Sequence, residues 1–457
     1  MKGIQRLSRS PLGRAALAAA VTVIGVGACS SGSGGTAKAH GGGPIAVSMS
    51  MAQIDKPSIK AISSLIDLYN RTHPHIHVTL TVGVDAQKTG LQLAAGNAPD
   101  IIQFGSASDS IQYMQAGGLV PLGPFVKQTH FNLSNFVQGS VRQGMWRGKL
   151  YALTYLEDTY QVYYNPALFK AAGITHTPTT LAQLVSDAKA LTHFDGKGNI
   201  TQLGMGEGML GADEPFFASL FRGSIVNQAG TQATVNSPQY IKALDYVKQL
   251  YNAEGGFNKV DRFVSSFSTP NALTNRGLSL DAFASGKQAM EVAGDYYSYN
   301  LAQIAPKLHY GLFLFPDVAA GVNQPGLTPL GGNPTAISKD SKHPGAAWNV
   351  LSWLETTGMT YAAHHGLLLS NFTATPNYIP ILKHPSLAGD PHYAWFWKEM
   401  LTNTHEVTMP NLANVDQYMT LELNQQEKFL RGQESASQAA ANIASAENAD
   451  IRLLGIG

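Results

Sequence analysis

Apolar and polar positions follow two rhythms along this chain. Residues 45–51 make a short β-prone run, and residues 57–70 carry apolar side chains at Ile59, Ile62, Leu65, Ile66 and Tyr69, the spacing of one helix face. Pro57 suits the first turn of that helix. Residues 75–82 alternate like a second strand, 86–95 read as a helix, 100–104 as a short apolar strand and 108–116 as a helix stopped by Gly117-Gly118. Further on, 161–164 read as a strand and 166–172 as a short helix. Residues 181–192 form a helix opened by Pro178-Thr179-Thr180. Residues 238–252 place Ile241, Leu244, Val247 and Leu250 on one helix face, and 345–356 and 416–431 are further helices. Strands that alternate with helices predict an α/β fold built from βαβ units around parallel sheet. Ligands of such sheets bind beyond the carboxyl ends of the strands, where the loop Gly105-Ser106-Ala107-Ser108 lies.

The amino-terminal pattern differs. Lys2, Arg6, Arg9 and Arg14 precede an apolar run from Ala15 to Ala28, and Val26-Gly27-Ala28 leads into Cys29. A basic start, a short apolar core and small residues at a cleavage site predict a secretory signal over 1–28. The run falls short of the roughly 20 residues that span a bilayer. Cys29, the only cysteine, resembles the lipobox of bacterial lipoproteins. The resemblance implies cleavage before Cys29, a lipid on its sulfur, and a protein exported and anchored at the extracellular face of the cell membrane. Residues 29–43 are small and polar, a flexible linker. With one cysteine there is no internal disulfide, so the fold must stand on core packing.

Composition then removes alternatives. The formal net charge is +1 and 13% of residues are charged, which gives no basic stripe for nucleic acid. No second long apolar run follows the signal. His73, His75 and His77 alternate, but Pro74 interrupts them, and His405-Glu406 lacks the second histidine of a zinc helix. Gly204-Met205-Gly206-Glu207-Gly208 lacks dinucleotide spacing, and there is no G-x-S-x-G elbow. No metal and no cofactor are expected.

The order of motifs resembles the extracellular solute-binding proteins of ABC importers, in the maltose-binding-protein-like sugar-binding group. Ala98-Pro99-Asp100-Ile101 resembles the family's "APDI" strand, and Gly117-Gly118-Leu119-Val120-Pro121-Leu122 its "GGLLxPL". Gly148 to Leu153 resembles "GKLYALP", with Thr154 in the proline place, and Val162-Tyr163-Tyr164-Asn165 with Phe169 resembles "LYYNKDLF". Pro178 to Leu184 resembles "PPTTWDEL", Phe283 to Met290 "FxxGKAAM", and Pro329-Leu330-Gly331-Gly332 with the helix from Ala347-Trp348 the late glycine pair and its helix. The resemblance implies a two-lobed periplasmic-binding-protein-like fold of type II. Each lobe would be a mostly parallel sheet flanked by helices, and the lobes would close about a hinge. Crossings are expected near Asp158, Pro329 and Phe372. They give an amino-terminal lobe of 44–157 plus 330–372 and a carboxy-terminal lobe of 158–329 plus 373–457.

A sugar asks for charged or amide partners at its hydroxyls and flat aromatic surfaces at its C–H faces. By position, Phe104, Gly105 and Ser106 resemble a sugar-contacting stretch of the family, although Phe104 also ends an apolar strand and suits a core. Glu157 and Asp158 offer carboxylates at a lobe crossing. Asp213-Glu214-Pro215-Phe216-Phe217 is similar to the family's "EPYF", which implies a carboxylate from Glu214 and a ring from Phe216. Gly294-Asp295-Tyr296-Tyr297 stands where the family often has glycine and a stacking tryptophan, which implies that role for Tyr296 with Asp295 beside it. Gly331 and Gly332 could offer N–H groups, or simply form a turn. Tyr418 and Gln53 are further candidates, and packing suits Tyr418 equally.

The function expected is non-enzymatic. The chain would capture a mono- or oligosaccharide between its lobes, as a monomer, and deliver it to membrane permease subunits. A glycerophosphodiester or other polar solute is the second expectation. A secreted glycoside hydrolase, with Glu157 and Glu214 as its acid pair, is the third.

Overall fold

Asp100 shows how local sequence assembles the first half of the protein. Burial pushes its carboxyl up, yet hydrogen bonds from Ser341 and Ser48 hold its pKa below the ordinary carboxylate value. Ser48 donates through its N–H at 2.8 Å and its hydroxyl at 2.7 Å, and the Ser341 hydroxyl donates at 2.6 Å. One side chain at the start of the "APDI" strand thus joins the first strand to a loop far along the chain.

This computed structural model describes residues 43–52, 56–205, 218–227, 229–267, 281–316, 318, 326–368, 375–383, 391–402, 406–408, 410, 412 and 414–455. From Pro44 onward the chain forms one body, apart from Met1–Gly43. Its first sheet has the strand order Ile76–Val82, Ile45–Met51, Ile101–Gln103, Thr335–Ile337, Ala152–Leu153. The helix Lys56–Thr72 lays Ala61, Ile62, Leu65, Ile66 and Tyr69 on Val47, Met49 and Met51 of this sheet. Burying each of the larger aliphatic side chains, Ile62, Leu65 and Ile66, contributes about 1.5–3 kcal/mol. The helix expected to end at Thr356 runs through Pro344–Trp353, widens to a π turn at Leu354–Gly358 and continues as Met359–His364.

The second sheet has the order Gly311–Phe313, Gln161–Tyr164, Gln288–Ala293, Ile200–Met205, His193–Phe194. The helix Leu181–Leu191 packs on Ile200–Met205 of this sheet, and the helix Pro238–Ala253 packs on Leu181–Leu191 in turn. Ser237 caps the helix Pro238–Ala253 by accepting from the Tyr240 N–H, Pro238 occupies its first turn, and Leu244, Val247 and Leu250 face the core. The opposing core includes Leu184, Ala188, Leu191 and Leu203.

The expectation of mostly parallel sheets needs correction. In the first sheet Ile45–Met51 pairs in parallel with both Ile76–Val82 and Ile101–Gln103, but Thr335–Ile337 pairs antiparallel on both its sides. In the second sheet only Ile200–Met205 with Gln288–Ala293 is parallel. Local alternation reports consecutive βαβ units. It does not register strands that arrive from the other sheet and run the opposite way.

Between these sheets lies a third, here called the bridging sheet, ordered Thr375–Pro376, Leu156–Thr159, Thr328–Gly332, Glu406–Thr408. The chain leaves the first sheet at Ala152–Leu153, passes through Leu156–Thr159 and enters the second at Gln161–Tyr164. It returns through Thr328–Gly332 to Thr335–Ile337. Among the described residues no helix is long and apolar enough to cross a membrane.

Candidate functional site

The bridging sheet has two faces, and its pairing says which side chain lies on each. Asp158 is the register partner of Gly331, and Glu157 pairs with both Gly332 and Thr375. A methyl group added at Gly332 would lie 3.0 Å from a Glu157 carboxylate oxygen, and one added at Gly331 would lie 3.3 Å from the Tyr160 ring. Glu157 and Gly332 therefore share one face, and Asp158, Tyr160 and Gly331 the other. Neither glycine has positive φ. They leave room for neighbours rather than forming a turn.

The Glu157 face is closed. The short helix Gln138–Gln143 lies against it, so near that a methyl group at Gly139 would meet the Leu330 side chain and the Glu406 carboxylate. Glu157 is wholly buried and accepts from the Ser140 hydroxyl and, at 2.6 Å, from the Gln143 amide. Burial pushes its pKa up to about 7 against those hydrogen bonds, with the Glu406 charge adding to the rise. Asp295 is buried too and accepts from the Thr375 hydroxyl. Burial pushes it up to about 8, and the Glu157 charge adds to that.

The Asp158 face is half open. Asp158, Tyr160 and Gly331 are all partly exposed. The Tyr160 ring meets Tyr296 edge to face, with ring centroids 6.3 Å apart and planes at 79°. Tyr296 opens the helix Tyr296–Ile304 and is partly exposed. Its neighbour Tyr297 is fully buried and donates to Asp281. Beyond Gly331 and Gly332, the Asn333 amide donates to the Gly105 carbonyl at 2.5 Å, and the Phe104 N–H donates to the Pro334 carbonyl at 2.8 Å. Ser106, next to exposed Gly105, caps the helix Ala107–Gln115 by accepting from the Asp109 N–H. A series of exposed or partly exposed residues thus leads from Gly105 and Ser106 through Asn333 and Gly331 to Asp158, Tyr160 and Tyr296. It offers a carboxylate, an amide, a hydroxyl and two rings, the chemistry that a polyhydroxylated ligand asks for.

Several expected site residues sit elsewhere. Phe104 is in the core, stacked on Tyr113 at 5.7 Å, because it continues the inward phase of a fully buried strand. Tyr418 is fully buried on the inner side of the helix Val415–Leu430. Glu157 and Asp295 are enclosed as described. Gln53, Glu214, Phe216 and Cys29 lie outside the described residues. Two members of the surface were not anticipated. Tyr160 could have been found from its i, i+2 relation to Asp158 along an extended segment. Asn333 follows the glycine pair directly, and only the return of the chain brings it to Gly105.

Known proteins share this architecture. The structure of CpMnBP1 with mannotriose bound superimposes with a TM-score of 0.73 over 88% of this chain and 100% of that one, at 23% identity. The maltodextrin-binding protein MdxE of Bacillus subtilis is 24% identical over 363 residues, 77% of this chain and 78% of that protein. A binding protein of Brucella abortus is 24% identical over 275 residues, 59% of this chain, and the match spans only 61% of that relative's length. Residues 55–360, more than half of the chain, match the family described as bacterial extracellular solute-binding protein, and the chain belongs to that family.

Proposed function

We propose that the chain captures a mono- or oligosaccharide between its two lobes and delivers it to membrane permease subunits of an ABC importer. The observation that carries this reading is the half-open face of the bridging sheet, where Asp158 stands beside the edge-to-face pair Tyr160 and Tyr296. The carboxylate accepts sugar hydroxyls and the rings cover C–H faces. The mannotriose carried by CpMnBP1 and the maltodextrin in the name of MdxE support the same ligand class. Glu214 and Phe216 would add a second carboxylate and ring, and Cys29 would hold the exported protein at the membrane by a lipid.

A hydrolytic role is less well supported. Glu157, one half of the acid pair such a reading needs, is fully buried and committed to Ser140 and Gln143. Binding energy would instead favour lobe closure, by the difference in affinity between open and closed states.

A thermal-shift screen against a carbohydrate panel tests the proposal. A sugar present at 100 times its dissociation constant stabilises the fold by about 2.7 kcal/mol. Asp158→Ala and Tyr296→Ala should lose that response. A panel that leaves the melting temperature unmoved, or a response that survives both substitutions, would overturn the reading. Retention of Cys29→Ala at the membrane after normal cleavage would overturn the lipid anchor.

A further inference from the structure

Of the five residues from Gly294 to Ser298, Tyr296 is the one that is partly exposed, and the other four are buried. The backbone that carries it is held at several points. The preceding strand, Gln288–Ala293, is paired on both sides, to Gln161–Tyr164 and to Ile200–Met205. The Gly294 carbonyl accepts from the hydroxyl of wholly buried Tyr163 at 2.9 Å and from the Tyr297 N–H at 3.0 Å. The Tyr163 hydroxyl also meets that of Ser298 at 3.0 Å. Asp295 accepts from the Thr375 hydroxyl, and Tyr297 donates to Asp281.

On this fixed backbone Gly294 leaves a slot. A methyl group at Gly294 would lie 2.4 and 2.6 Å from two carbons of the Tyr296 ring, and the next nearest atom, at 3.4 Å, belongs to the same ring. Carbon atoms in contact rest about 3.5–4.0 Å apart. The ring therefore lies back against Gly294, and in that position it meets Tyr160 edge to face. Gly331 does the same for Tyr160 less tightly, since a methyl group there would stand 3.3 Å from that ring. Gly294 does not have positive φ, so what matters here is its missing side chain and not its conformational freedom. A methyl at 294 meets a held backbone on one side and a ring on χ1 and χ2 on the other, so the ring is what turns aside.

We infer that Gly294 is a positioning residue of the saccharide surface: by carrying no side chain, it seats the Tyr296 ring against Tyr160 in the orientation that covers a sugar face. The inference rests on the saccharide reading above.

Gly294→Ala, Tyr296→Ala and the double variant, each in the full chain, make the test, with maltotriose and mannotriose as probes. Gly294→Ala should melt close to the wild type, because its clash is with a side chain that can swing. In the free protein, a double-mutant cycle on Tyr160 and Tyr296 should show coupling in the wild type and none in the Gly294→Ala background. Gly294→Ala should weaken binding of the better probe about tenfold, as loss of a stacking face implies, and Tyr296→Ala should match it. In the double variant there is no ring left to strike, so Gly294→Ala should add nothing to Tyr296→Ala in folding or in affinity. A glycine needed only by the strand end would instead cost the same stability in both backgrounds and leave affinity alone. The inference is overturned if the wild type shows no ring coupling, if Gly294→Ala keeps the coupling or the wild-type affinity, or if the double variant loses more than Tyr296→Ala. Equal binding by wild type and Tyr296→Ala, or no binding of either probe, would count against the saccharide reading, and the coupling in the free protein would still decide whether Gly294 seats the ring.

Discussion

Glu157 and Asp158 are neighbours in one strand, yet they point out of opposite faces of the bridging sheet. The first is sealed under a helix with Ser140 and Gln143, and the second is partly exposed beside Tyr160. The phase comes from pairing, since Gly331 faces Asp158 and Gly332 faces Glu157. The two acids should therefore fail in different ways. Asp158→Ala should weaken saccharide binding by roughly 1–3 kcal/mol. Glu157→Ala strands two buried donors and should cost about 1–3 kcal/mol of stability. Calorimetric titration and melts on both variants check this. An affinity loss confined to Glu157→Ala would reverse the assignment of faces.

Proton binding gives a second expectation. In the folded chain Glu157 and Asp295 keep their protons up to about pH 7 and about pH 8, through burial. In an unfolded chain such carboxyls ionise near pH 4. Between those limits the folded state holds more protons, so stability is fullest below the unfolded value and falls as pH rises toward 8. Burial moves Glu254, Glu355 and Glu447 the same way. Each such group contributes a slope of at most about 1.4 kcal/mol per pH unit. Melts from pH 5.5 to 8.5 should show the decline, and Glu157→Gln with Asp295→Asn should flatten it. A wild-type profile that rises over this range would contradict the buried, protonated description.

Much of this was legible beforehand, and the misses have physical causes. Helix faces such as Ile62, Leu65 and Ile66 are repeated locally and read directly from spacing. The motif glycines and Asp100 carry packing and pairing that the family resemblance conveyed. The strand phase that separates Glu157 from Asp158 depends on a partner more than 170 positions away, which no local window contains. The same holds for Asn333 at Gly105 and for the antiparallel strands of the second sheet. Phe104 fitted both a core and a sugar face, and only the position of Tyr113 decides between them.

Gly144 offers a stability test that leaves the site alone. A methyl group there would lie 2.0 Å from the Ala152 carbonyl oxygen, which is backbone and cannot swing aside. The Gly144 carbonyl already accepts from Tyr151 and Ala152. Gly144→Ala should cost about 1–3 kcal/mol by overpacking. Gly345, in the helix Pro344–Trp353, has nothing within 4 Å of such a methyl, so Gly345→Ala should gain about 0.4–1 kcal/mol. Denaturant melts of the pair should diverge in sign. Equal, small effects would mean that the turn at Gly144 is looser than described.

Tyr160 and Tyr296 make the last expectation, because they flank two paired strands of the second sheet, in which Ala293 is the register partner of Gln161. Tyr160 leads out of the bridging strand, and Tyr296 opens a helix of the second half; their rings meet at 79°. An edge-to-face pair contributes about 0.5–1.5 kcal/mol beyond its buried area. In the free protein a double-mutant cycle on Tyr160→Ala and Tyr296→Ala should return a coupling of that size in stability. Saccharide binding should depend on both rings as well. Each single substitution should lower affinity, and the double variant should lose less than the sum, because the ring left alone in either single variant is no longer held edge-on for stacking. Tyr160→Phe separates the ring from its hydroxyl. If the ring positions Tyr296, Tyr160→Phe should keep both the coupling and most of the affinity. If instead Tyr160→Phe binds as poorly as Tyr160→Ala, the hydroxyl rather than the face meets the ligand. Strictly additive losses in both stability and affinity would show that the two rings do not act as one surface.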